Sequence, residues 1–138
     1  YTLINDLIAR DEERSGREFG GVGWGDLHDT FTPIGPWLVT KDEVPDPMNL
    51  HVTATVNEEL RQDASTSEMR NPIPKLIAIF SRTTLEPGDI IATGTPEHLP
   101  SSQGSKRFLN AGDVVRCAIE SVGSLDNHVV AEGSGASH

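Results

Sequence analysis

Between Leu50 and Val56 the chain alternates without interruption: Leu50, Val52, Ala54 and Val56 are apolar, while His51, Thr53 and Thr55 are polar. A period of two sends successive side chains to opposite faces, so the stretch reads as a strand with one buried and one wetted face. Asn57-Glu58 follows directly, and a reversal there brings Glu59 to Gln62 back alongside as a hairpin. Tyr1 to Ile4 reads as another strand, and an extended, turn-prone Thr32 to Trp37 leads into Leu38-Val39-Thr40. Two tight turns, Leu85-Glu-Pro-Gly-Asp89 and Leu109-Asn-Ala-Gly-Asp113, each precede a strand, at Ile90-Ile91 and Val114-Val115. Val129-Val130 closes the last strand. The single clear helix starts at Pro74, with Leu76, Ile77 and Phe80 sharing a face. Many short strands with one or two short helices make the chain mainly β (α+β), a sandwich or a rolled sheet.

The 138 residues suffice for one domain with a real core. The opening Tyr-Thr-Leu-Ile reads as mid-strand, so residues 1–131 are expected to be part of a domain whose N-terminal portion lies elsewhere. Residues 132–138 are expected to be a flexible tail. Net charge is −10 with no cluster of Lys and Arg, which makes nucleic acid and anionic membrane surfaces poor partners. The longest apolar run, Leu76 to Phe80, is too short to span a bilayer. Cys117 is the only cysteine, which favours a reducing compartment, the cytoplasm, or a mitochondrion in a eukaryote. Ser15 to Gly25 carries five glycines around Trp24 and reads as a mobile loop.

HExxH, Walker and GxSxG patterns are all missing from the sequence. Asp6 and Asp11 bracket Arg10 just after a strand end. A carboxylate there suits a hard cation such as Mg²⁺ or Mn²⁺, and a surface ion pair with Arg10 is the plainer reading. Thr93-Gly94-Thr95-Pro96 follows the strand at Ile90. It is either a strand-terminating turn or a place where hydroxyls and exposed N–H groups hold a carboxylate.

In order along the chain come Asn5 to Asp11, Asp29-Thr-Phe-Thr-Pro-Ile-Gly-Pro-Trp37, Gln62 to Thr66, Pro72-Ile-Pro74, Leu85 to Asp89, Thr93 to Pro96 and Ser121 to Asn127. Together these segments resemble the fumarylacetoacetate hydrolase family, specifically its C-terminal catalytic domain, from Tyr1 to about Val130. The resemblance implies a mixed β-sandwich roll, usually a homodimer. It also implies binding of Mg²⁺, Mn²⁺ or Ca²⁺ through a Glu-x-Glu pair and the Asp after Asn, here Asp6. The implied substrate is a 2-oxo acid, an acylpyruvate or a related enol, opened by C–C hydrolysis, isomerised or decarboxylated. By the same resemblance Arg10 approaches the substrate or the metal's water network, Gly94 and Thr95 hold the substrate carboxylate, and Gln62 and Thr66 brace the site.

The sequence departs from that pattern in three places. No Glu-x-Glu occurs in it, and Glu58-Glu59 sits at a hairpin where relatives read Asn-Gly-Glu. The family's lysine, three residues before Asp-Thr-Phe, is Asp26 here, and no Lys or Arg lies between Arg17 and Lys41. An anion in that position works against an enolate, which counts against ordinary acylpyruvate hydrolysis. Finally, Glu97-His98 replaces the usual Gly-Val after Pro96. It is either a substitute acid/base pair or a solvated loop. A metal-dependent enzyme is the leading expectation, and a diverged, non-catalytic ligand-binding or structural member is the alternative.

Overall fold

The computed structural model describes residues 1–9, 28–99 and 108–131. The Gly-rich stretch, Arg10, Asp11, Asp26 and the tail after Ala131 lie outside the described residues. Among the described residues the fold is mostly strands with one short helix, and every strand pair is antiparallel. Strand β1 (Leu3–Ile4) pairs with β2 (Ile34–Gly35). The four-stranded sheet has the order β4-β3-β5-β6, with β3 at His51–Val56, β4 at Glu59–Ser65, β5 at Val114–Ile119 and β6 at Gly123–His128.

The β3–β4 hairpin turns as its sequence requires. Asn57 and Glu58 take φ of 49° and 70°. Two positive φ values in a two-residue loop match the right-handed twist of the flanking strands, and Asn tolerates that region well. A bulge between Ala54 and Thr55 shifts the register, so Thr55 faces Leu60 and Ala54 faces Gln62, with Arg61 as the extra residue. The strand continues past Gln62 to Ser65, where a capping box ends it. The Ser65 hydroxyl accepts from Ser67 N–H, and the Glu68 carboxylate accepts from Ser65 N–H.

Asn57 also ties this hairpin to the next. Its side-chain oxygen accepts from Val114 N–H at 2.9 Å, and its amide nitrogen donates to the Asp113 carboxylate at 2.6 Å. Asp113 is buried, and its other oxygen accepts from Asn110 N–H at 2.8 Å, closing the Leu109–Asp113 turn. A buried carboxylate is tolerated because these donors replace its water.

The core lies between the β1–β2 ladder and the β5–β6 side of the sheet. Leu3, Val39, Val44, Leu50 and Val122 form it, with Cys117, Ile119 and Leu125 packed against it. The segment after β2 supplies Val39 and Val44 through a short 3-10 turn, Lys41–Glu43.

The helix α1 runs Ile73–Phe80, one residue earlier than its proline suggested, and none of its residues is buried. Two expectations fail. The last strand, β6, stops at His128, and Val129-Val130 lies beyond it. The Leu85–Asp89 turn forms, with Asp89 N–H donating to Glu86 carbonyl and Gly88 at φ 103°, yet Ile90 to Ala92 belongs to no strand. A strand needs a ladder partner, and none pairs with this segment among the described residues. The matching Leu109–Asp113 turn does lead into β5, because β3 and β6 flank it.

Candidate functional site

Asp6 extends the β1 ladder. Asn5 N–H donates to Pro33 carbonyl at 3.1 Å and Leu7 N–H to Phe31 carbonyl at 3.0 Å. Residues 5–7 therefore run against residues 31–33 of the Asp29–Trp37 motif. Asn5 is buried, and its side-chain amide donates to Asn127 at 2.9 Å, reaching β6. Alternation along the ladder then turns Asp6 outward, and its carboxylate is exposed. The backbone is held on both sides while the carboxylate faces solvent, which suits a group that meets a ligand. The sequence motif pointed to Asp6 but not to the Asn5–Asn127 brace, since its partners are 122 residues apart.

The second cluster forms at β4. The Gln62 side-chain nitrogen donates to Pro96 carbonyl at 2.6 Å and to Thr95 Oγ1 at 3.2 Å. Leu99 N–H donates to Arg61 carbonyl at 2.8 Å, so the Gly94–Leu99 loop is fastened to β4 at two points. Gly94 has φ 102°, which favours glycine, and a Cβ there would meet nothing within 4 Å. Backbone conformation rather than crowding thus selects it. Glu97 and His98 lie between the two fastenings and are exposed.

Thr66, grouped with Gln62 in the sequence, does something else. Its hydroxyl accepts from Leu50 N–H and its amide donates to Leu50 carbonyl, both at 2.9 Å, which closes the entrance to β3.

The structure therefore joins Gln62, Thr95 and Pro96, and separately joins Asn5 and Asn127 beneath Asp6. Their anchors stand at opposite ends of the sheet order, β4 and β6. No hydrogen bond or ion pair connects Asp6 with Thr95 among the described residues. Nor does any group of three His, Cys, Asp or Glu side chains among them converge as metal ligands. Asp6 is a hard oxygen donor of the kind Mg²⁺ or Mn²⁺ takes, but one carboxylate does not make a complete site. The described residues alone therefore do not fit a bound ion.

A hollow of about 700 Å³ lies elsewhere, beside Trp37, His51 and the β5–β6 turn. Its Trp37 indole donates to Val122 carbonyl at 2.8 Å. It is wide open and lacks every residue of the two clusters. Ligand sites enclose most of their ligand, and this hollow is too open to do so.

A model of the fumarylacetoacetate (FAA) hydrolase C-terminal family matches residues 1–130. A mitochondrial oxaloacetate tautomerase of Xenopus laevis is 43% identical over 133 residues, covering 94% of this chain and 41% of that protein. The fumarylacetoacetate hydrolase of psychrophilic Exiguobacterium antarcticum superposes with a TM-score of 0.84 at 39% identity, over 96% of this chain and 47% of that one. Maleylpyruvate hydrolase from Sphingobium sp. SYK-6, solved in complex with manganese(II) ion and pyruvate, gives a TM-score of 0.70 at 35% identity, over 94% of this chain and 52% of that one. The chain spans about two fifths of the length of the curated relatives it matches.

Proposed function

The chain belongs to the fumarylacetoacetate hydrolase family, and from that premise we propose that the protein is a metal-dependent enzyme acting on a small 2-oxo acid or its enol. The observation that carries this reading is Asp6, an exposed carboxylate on a backbone held by ladder bonds and by the Asn5–Asn127 brace. Asp6 contributes one ligand to Mg²⁺, Mn²⁺ or Ca²⁺, and groups beyond the described residues complete the set. A related hydrolase solved with manganese and pyruvate supports both the type of ion and the type of substrate. When bound, such an ion lends Lewis acidity to the substrate oxygens.

Thr95 and the Gly94 backbone hold the substrate carboxylate, and Arg10 approaches it from the Asn5–Asp11 motif. Glu97 and His98, beside that loop, handle the proton. Enol–keto interconversion of an oxaloacetate-type acid is the favoured reaction, in line with the tautomerase relative. It moves one proton from oxygen to carbon and breaks no C–C bond, so it asks less of the cation that Asp26 replaces. Hydrolysis of an acylpyruvate or decarboxylation of oxaloacetate instead breaks a C–C bond and releases the enolate of pyruvate, and is the next reaction to assay. The same proposal includes a homodimer in the cytoplasm or, in a eukaryote, a mitochondrion, with neither nucleic acid nor membrane as partner. No helix among the described residues is long and apolar enough to cross a membrane.

The test follows the loss of enol absorbance of oxaloacetate by the intact protein with Mg²⁺ or Mn²⁺. A metal-dependent acceleration that Asp6→Ala lowers by at least about a hundredfold is expected, the scale of one lost electrostatic contact in an active site. Absence of acceleration with either ion, on this substrate and on acylpyruvates, would reject the reading. It would leave the non-catalytic ligand-binding or structural alternative, which Asp26 favours.

A further inference from the structure

Gln62 spends both hydrogens of its amide on one loop, and the consequence for Thr95 can be worked out atom by atom. Pro96 carbonyl can only accept, so the Gln62 atom 2.6 Å from it is the NH₂ nitrogen, which fixes the amide against a flip. The second N–H reaches Thr95 Oγ1 at 3.2 Å, making that hydroxyl an acceptor toward Gln62. A hydroxyl carries one proton. With a lone pair engaged by Gln62, that proton turns away, and the exposed Thr95 offers it outward. The loop is thereby preset as a donor, and an ionised carboxylate, which only accepts, is the group that matches it.

We infer that Gln62 is a positioning residue that fixes the Thr95 hydroxyl as a donor and so selects ligands ending in a free carboxylate over their esters. This rests on the proposed role of Thr95 in holding a substrate carboxylate. Gln62 itself need not touch the ligand. Its effect passes through Thr95, so removing it changes which ligand is preferred rather than only how stable the loop is.

The experiment measures binding of pyruvate and of methyl pyruvate to the intact protein in Mn²⁺, by calorimetry. In the parent, pyruvate is expected to bind roughly tenfold or more tightly than the ester, the scale of one hydrogen bond to a charged group. Thr95→Val should bring the ratio close to one, and Thr95→Ser should restore it. Gln62→Met, which keeps the side-chain length and removes both donors, should collapse the ratio as Thr95→Val does. The double variant Gln62→Met/Thr95→Val should be no worse than Thr95→Val alone. Gln62→Leu takes its place if circular dichroism shows Gln62→Met to be unfolded.

If Thr95→Val collapses the preference and the Gln62 variants keep it, this inference falls while the carboxylate role of Thr95 stands. Additive losses in the double variant have the same meaning. If Thr95→Val keeps the preference, or the parent does not favour pyruvate, the underlying role of Thr95 falls and this inference with it.

Discussion

The β3–β6 sheet and the α1–Ile90 region form in opposite ways. In the sheet, β3 and β5 meet partners on both sides, Asn57 stitches two hairpins together, and the core packed against the sheet holds Leu3 and Val44 at 1% exposure. In the other region, an almost wholly apolar helix leaves Ile77, Ile79 and Phe80 at 42–48% exposure, and Ile90 at 59%. Local pattern alone makes a helix or an extended segment in both regions. Only a non-local partner turns that segment into buried, load-sharing structure.

The sharpest way to break this comparison is to truncate two side chains that support the sheet and one in α1. Leu3→Ala should lose about 2–5 kcal/mol in chemical denaturation, because it empties a fully packed position. Asp113→Ala should lose roughly 1–3 kcal/mol, since it strands the Asn57 and Asn110 donors inside. Ile79→Ala in α1 should stay within about 0.5 kcal/mol of the parent. A loss there as large as at Leu3 would mean that the helix face is covered in solution, and the contrast between the regions would disappear.

The smallest effect concerns Cys117, whose thiol burial pushes above its ordinary 9.0. A folded value above the unfolded one means that this group leaves stability untouched below about pH 9 and lowers it as pH rises past that value. Native protein at pH 8 should therefore react with a thiol reagent several-fold more slowly than unfolded protein, the direction set by a raised pKa and restricted access. Equal rates would show that the inner face of β5 is open.

What was legible in the sequence follows the same division. The β3–β4 hairpin could be read from the alternation to Val56 and from Asn57-Glu58, because strand period and turn chemistry are local. The helix at Pro74 was legible for the same reason. The Arg61 bulge was not, since it depends on how two strands share a register. Ile90-Ile91 has the residues of a strand, but its sequence cannot show whether a partner is present. Asp6 and Thr95 were found through ordered motifs. Their supports, Asn127 at 122 residues and Gln62 at 33, lie at separations no local pattern encodes. Thr66 shows the converse, for the motif grouped it with Gln62 and its bonds go to Leu50 instead.

The sheet order has one further consequence. Among the described residues each half of the sheet is a self-contained hairpin, and the ladder between β3 and β5 joins them. The described stretch 69–99, which carries α1 and the Thr95 loop, lies outside that ladder and is fastened to β4 at Arg61 and Gln62. Lineages sharing this scaffold can therefore lengthen, shorten or rewrite the stretch without disturbing either hairpin, because loop closure grows only slowly costlier with length. Chemical novelty can then accumulate in one passage of the gene while selection for foldability acts on the others. Thr93-Gly-Thr-Pro96 running on into Glu97-His98 is the kind of local rewriting such an arrangement permits.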